Sequence, residues 1–218
     1  MSPLYLALVH HPVLNKVGER VTTSISNLDI HDIARAALTY GVKAYYIIHS
    51  DPRQKRLLDQ IRQFWQEPGL PYNPQRSQAL ARVRHSDTIE DMLNEITKQE
   101  EKRPLIITTT ARLLREQISF EYLKTQTSNE KPVLLIFGTG YGLCDEVHQA
   151  ADHVLAPIFG CGDYNHLSVR SAVSVVLDRI SSEYIYGRNH GYSAHSWQRP
   201  NQNRLSRLSP RRHGEGPL

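Results

Sequence analysis

Apolar residues fall along this chain in short unbroken runs, separated by stretches where they recur every three or four positions. An unbroken run marks a strand buried on both faces; a period of three to four marks a helix with one buried face. On this rule PLYLALVHH (3–11), VKAYYIIHS (42–50), PLIITTT (104–110), PVLLIFG (132–138) and DHVLAPI (152–158) read as strands, and a further short strand is expected around RVRHS (82–86), which carries no such run. DIHDIARAALTY (29–40), RQKRLLDQIRQFW (53–65), DTIEDMLNEITKQ (87–99), the region 112–124, CDEVHQAA (144–151) and SVRSAVSVVLDRISSEYIY (168–186) read as helices. The punctuation agrees. Asn27 or Asp29 can cap the first helix and Gly41 end it; Asp51-Pro52 opens the second, and Asp87-Thr88-Ile89-Glu90 has capping-box form. Loops are expected at 11–26 and in the turn-rich EPGLPYNP (67–74), and the periodicity stops after Gly187.

Strands alternating with helices predict an α/β domain with a mostly parallel sheet and helices on both faces, over residues 1–184. The N-terminus has no basic segment and no small-residue cleavage site, and reads as the first strand rather than a signal peptide. No run approaches the ~18 apolar residues of a membrane span, so no membrane partner is expected.

Charge adds a boundary. The chain of 218 residues is net +4, but its first 180 residues carry 20 basic and 20 acidic side chains. From Ser181 onward there are six Arg, no Lys and two Glu. The basic character therefore belongs to residues 185–218, expected to be a disordered tail able to meet nucleic acid electrostatically. Two cysteines, Cys144 and Cys161, form no metal or disulfide pattern, which fits a reducing, cytoplasmic compartment. The eleven histidines, among them His10, His11, His31, His49, His148, His153 and His166, are scattered with no HExxH or similar set, so no metal is expected.

In parallel sheets ligands bind beyond the carboxyl ends of the strands. That rule singles out Thr108–Thr110, the loop Gly138–Leu143, and Pro157–Ser168. Three glycines in GTGYG let the backbone turn tightly and approach a ligand, and its amides can hold an anion. The spacing is GxGxG late in the chain, with no Walker lysine, so it is neither a dinucleotide fingerprint nor a phosphate loop. Asp163, Tyr164, Asn165, His166 and Ser168 crowd a loop-to-helix junction where helix amides are free. In the first helix, Asp29 reads as an acid favouring the helix dipole, and Asp32–Arg35 as a surface ion pair. Arg35 could alternatively hold a phosphate or a developing negative charge.

NLDIHDIARAALTYGVK (27–43), YNPQR (72–76), LIFGTGYGL (135–143) and DYNHLSVRSAVSVVLDRI (163–180) together resemble the bacterial SAM-dependent RNA methyltransferases of the SPOUT superfamily, over roughly residues 3–180. The resemblance implies a C-terminal trefoil knot, with the helix from about Ser168 to Tyr184 threaded through a loop. It implies S-adenosylmethionine bent into that knot against Thr108, Thr109 and Thr110; Phe137, Gly138, Thr139, Gly140, Gly142 and Leu143; and Pro157, Ile158, His166, Leu167 and Ser168. Leu155, Pro157, Ile158 and Leu167 can supply an apolar slot for adenine. For the acceptor's proton or charge the candidates are Arg35, Asp163, Asn165 and His166, with Asn15 and His10 behind them. The implied partners are tRNA or rRNA and a second copy in a homodimer. A non-catalytic RNA- or nucleotide-binding module of the same fold is the alternative reading, and a nicotinamide dehydrogenase a third.

Overall fold

The computed structural model describes residues 2–162 and 164–187, with side chains through 181. Strands β1 (Leu4–Val9), β4 (Ala44–Ile48), β5 (Val83–Ser86), β6 (Leu105–Thr109), β7 (Gln117–Ile118), β8 (Val133–Gly138) and β9 (His153–Leu155) form one sheet in the order β5-β4-β1-β8-β6-β9-β7. Every pair in it is parallel. A separate antiparallel pair, β2 (Val13–Leu14) and β3 (Arg20–Val21), stands in the long loop after β1.

Helices cover both faces, and alternation along the strands decides which face each residue meets. Leu4, Leu6 and Leu8 of β1, with Tyr45, Ile47, Ile107, Leu135 and Phe137, enter one cluster. Tyr5, Ala7 and Val9, with Tyr46, Ile48, Ile106, Leu134 and Ile136, enter the other. On the first face lie α1 (Asn27–Thr39), α2 (Pro52–Gln66), α3 (Pro74–Leu80), α5 (Phe120–Gln126) and α7 (Val169–Gly187). On the second lie α4 (Ile89–Glu100) and α6 (Asp145–Gln149). Burial on both sides explains why the strands read as unbroken apolar runs.

Three local differences have local causes. Residues 112–124 are not one helix: Ser119 caps α5 through Tyr122 N at 3.1 Å, and Gln117 bonds Leu114 N and Arg112 O, which holds 112–118 as loop and edge strand. Helix α3 starts inside the turn-rich stretch, where Asn73 Oδ1 accepts from Arg76 N and Pro74 takes the first helical position. The cap of α1 is Ser26, not Asn27 or Asp29, and its side chain makes no cap bond.

All strands end on one edge of the sheet. The order reverses between β1, whose successors run toward β5, and β8, whose neighbours run toward β7. The glycine loop leaves β8 at this switch point, where open parallel sheets bind their ligands.

Candidate functional site

A cleft of about 760 Å³ opens over the ends of β6, β8 and β9 on the α1 and α7 face. Three stretches far apart in the chain meet in it: Thr109–Arg112, Phe137–Gly142, and Leu155, Ala156 and Ile158 with Asn165–Arg170. Thirteen of the sequence-expected residues line it: Thr109, Thr110, Phe137, Gly138, Thr139, Gly140, Gly142, Leu155, Ile158, Asn165, His166, Leu167 and Ser168. Strand alternation takes Thr108 away, and the bridge to Val13 beyond β8 takes Leu143. Thr108 is fully buried on the opposite face, its hydroxyl 2.9 Å from His148 Nδ1, and Leu143 packs in the same opposite-face core. Pro157 is buried beside the cleft without lining it. Asp163 lies outside the described residues.

The glycine loop is shaped by its own backbone. A Cβ on Gly138 would stand 2.7 Å from Leu143 N, and one on Gly140, at φ +60°, would stand 2.9 Å from Leu14 O. Neither position tolerates a side chain. The N–H groups of Thr139, Tyr141 and Gly142 donate to Val9 O, Leu14 O and Thr139 O. Those three amides are spent within the loop and its neighbours and do not serve an anion. Leu155, Ile158, Leu167, Val169 and Val176 form apolar walls around it. A slot without a phosphate cradle, walled by aliphatic carbon and edged by backbone, fits an adenosine that carries no phosphate.

The loops over the cleft are tied together. Asn165 Nδ2 donates to Ala111 O at 2.8 Å, which joins the segment before α7 to the segment after β6. Thr109 Oγ1 donates to Ile136 O at 3.1 Å, fixing the end of β6 against β8. His166 is exposed at the mouth, edge-on to Tyr164 with ring centroids 5.4 Å apart.

Sequence reasoning missed an acid–base pair inside the cleft. Arg170, in the first turn of α7, donates to Asp29 Oδ1 at 2.7 Å, and its Nε lies 3.5 Å from Asp32 Oδ2. Asp29 is thus buried against a guanidinium rather than serving only the helix dipole, and Asp32 faces Arg170 rather than Arg35. The signal was present in part, since two acids three residues apart share a helix face; their partner lies 141 residues away.

Other candidates sit elsewhere. Arg35 lines a different cavity, bounded by α1, α2 and α3. Asn15 closes the β2–β3 turn, its side-chain oxygen accepting from Val17 N and Glu19 N. His10 is buried behind the glycine loop: its Nδ1 lies 3.1 Å from Thr23 Oγ1, which lies 2.5 Å from Thr139 Oγ1. Burial, with His49 beside it, lowers the His10 pKa to about 4. A neutral imidazole there braces the loop from below. Among the described residues no cluster of metal-binding side chains occurs, and no helix is long and apolar enough to cross a membrane.

The family model described as SAM-dependent RNA methyltransferase matches residues 3–182. A protein of Oleidesulfovibrio alaskensis named tRNA (guanine-N(1)-)-methyltransferase is 43% identical over 178 residues, 81% of this chain but 41% of that protein. The chain thus spans about two fifths of the length of that relative. An uncharacterized protein of Aquifex aeolicus is 35% identical over 181 residues, 82% of this chain and 88% of its own length. Among solved structures, the SpoU methyltransferase AviRb of Streptomyces viridochromogenes, in complex with AdoMet, superposes with a TM-score of 0.53. At 14% identity, over 84% of this chain and 58% of that one, it shares the fold.

Proposed function

Because this chain belongs to the SAM-dependent RNA methyltransferase family, we propose that it methylates a nucleotide of tRNA or rRNA, with S-adenosylmethionine held in the cleft over β6, β8 and β9. The observation that carries this reading is the convergence of the glycine loop, the β6 end and the α7 entry on one aliphatic, phosphate-free slot. When bound, the cofactor supplies an electrophilic methyl group on a cationic sulfonium. The chain's part is positioning and charge control. Leu155, Ile158 and Leu167 hold the adenine, and the backbone at 138–142 edges the ribose. His166, exposed at the mouth, takes the acceptor's proton. Arg170, oriented by Asp29 and Asp32, stabilises negative charge developing on the acceptor. Asn165 is already bonded to Ala111 O and acts as a positioning residue.

Chain path supports the knotted form of this fold. β7 and β6 flank β9, so the loop 110–116 spans the end of β9, and the chain leaving β9 must pass it to reach α7. Passage beneath that loop would thread α7 and make the Asn165–Ala111 bond a clasp of the knot.

The test is calorimetric titration of S-adenosylmethionine, followed by transfer of labelled methyl groups to purified tRNA and rRNA. Micromolar binding and transfer to one RNA class are expected. Ala172→Leu, which adds bulk to the α7 wall of the cleft, should abolish binding. His166→Asn should keep binding within about threefold and lower kcat by about 100-fold or more. Tight binding without transfer to either RNA would reject the catalytic reading in favour of a non-catalytic module. Gly140→Val is a poor probe of the cleft, because its side chain would strike Leu14 O rather than occupy the slot.

A further inference from the structure

On the far side of the first turn of α1 lies a second cavity, a groove of about 500 Å³ between α1, α2 and α3. Its wall is aromatic. The Arg76 guanidinium sits 5.0 Å over the Trp65 ring, His31 meets that ring edge-on at 5.6 Å, and Phe64 does so at 5.3 Å. Phe64 nevertheless stays 52% exposed, so one ring is offered to solvent from within a lined groove. Two cations face the same space. Among the described residues neither Arg35 nor Arg76 takes part in an ion pair, whereas Asp32, the groove's acid, faces Arg170. His31 Nδ1 is buried there with no hydrogen-bond partner among the described residues.

An exposed aromatic face beside uncompensated guanidinium groups is the complement of an unstacked base and its phosphate. A purely apolar partner would leave both cations desolvated and unpaired, which is costly. The groove also adjoins the cofactor cleft. Asn27, Leu28 and Asp32 line the groove, Asp29 lines the cleft, and Arg170 touches both acids. Along α2, Arg56 stands one turn before Gln60 of the groove, which extends the positive path for a backbone, while Arg53 is held by Asp51. We propose that this groove seats an unpaired nucleotide of the substrate RNA next to the one that enters the cleft, its base on Phe64 and its phosphate between Arg35 and Arg76. The proposal rests on the RNA methyltransferase reading.

The experiment compares wild type, Phe64→Ala and Phe64→Tyr. Fluorescence anisotropy reads binding of a labelled single-stranded oligoadenylate and of a labelled RNA duplex; calorimetry reads S-adenosylmethionine. Phe64→Ala should weaken the single strand about tenfold, leave the duplex within twofold, leave cofactor binding unchanged and lower methyl transfer through KM. Phe64→Tyr, which keeps the ring, should restore wild-type binding. Unchanged single-strand affinity in Phe64→Ala would overturn the proposal while methyl transfer by wild type keeps the functional reading. Loss of a dimer in Phe64→Ala, read by sedimentation, would also overturn it and assign the groove to contact between copies. Wild type that binds cofactor yet neither binds nor methylates RNA would remove both.

Discussion

At the scale of single residues, the chemistry of the site depends on groups that never touch it. His10 is 1% exposed, and its Nε2 finds no partner among the described residues. Its charged form is therefore expelled, first by desolvation and then by His49. The sign of the consequence is fixed. The unfolded chain takes up a proton near pH 6.5 and the folded chain only near 4, so the unfolded state binds more protons in between and stability falls as pH falls. The shift corresponds to ~3 kcal/mol between those limits. His31, His49 and His148 are also lowered by burial and act in the same direction. Urea unfolding at pH 7 and pH 4.5 should show a marked loss of stability at the lower pH, and His10→Gln should remove a large part of the difference. An unchanged difference in the variant would show that His10 is not the group responsible.

At the scale of elements, the site is an agreement between α1 and α7 that no local pattern announces. Their link is the half-buried pair Asp29–Arg170, supported by Asp32. Hydrogen bonds to charged groups contribute ~1.5–3 kcal/mol, and the half-buried setting favours the lower part of that range. Asp29→Asn should cost about 1–2 kcal/mol in chemical denaturation, and it should lower kcat more than it weakens cofactor binding, since Arg170 would lose its orientation. An effect on stability alone would make the pair structural. What was legible beforehand follows the same division. Six of the sheet's seven strands and the glycine turn were readable because apolar runs and positive-φ glycines are local signals, whereas the two-residue β2, β3 and β7 are too short to leave one, and Gly138 and Gly140 are indeed places where only glycine fits. Residue facing near a strand end was less so: Thr108 and Thr109 are neighbours in sequence, yet the pleat sends one to each side of the sheet. Helix α3 was hidden because its cap and first-turn proline, Asn73-Pro74, look the same as a turn until the buried Ala79 and Leu80 are seen to follow. Arg170 was hidden because its partners come from the other end of the chain.

At the scale of the whole molecule, the charge is divided. The sequence up to residue 180 is balanced, while residues 188–218, which lie outside the described residues, hold six Arg and one Glu. A balanced body can still present local cations, and Arg35, Arg76 and Arg56 supply them beside the groove. Sequence-independent affinity for RNA scales with the number of phosphates neutralised, so the two regions should contribute in different ways. The groove selects unstacked nucleotides and should depend on salt weakly, because much of its binding is stacking. We propose that the segment after Gly187 provides the salt-dependent part. Deleting residues 188–218 keeps α7 whole and should leave S-adenosylmethionine affinity unchanged. It should weaken RNA binding and reduce the slope of log affinity against log salt by up to about 4, near 0.7 for each cation removed. The remaining affinity should still discriminate single strand from duplex through Phe64. Equal RNA affinity of truncated and full-length chains at matched salt would assign the electrostatic attraction to the folded body. Loss of the discrimination along with the segment would instead mean that the tail, and not the groove, reads the unpaired strand.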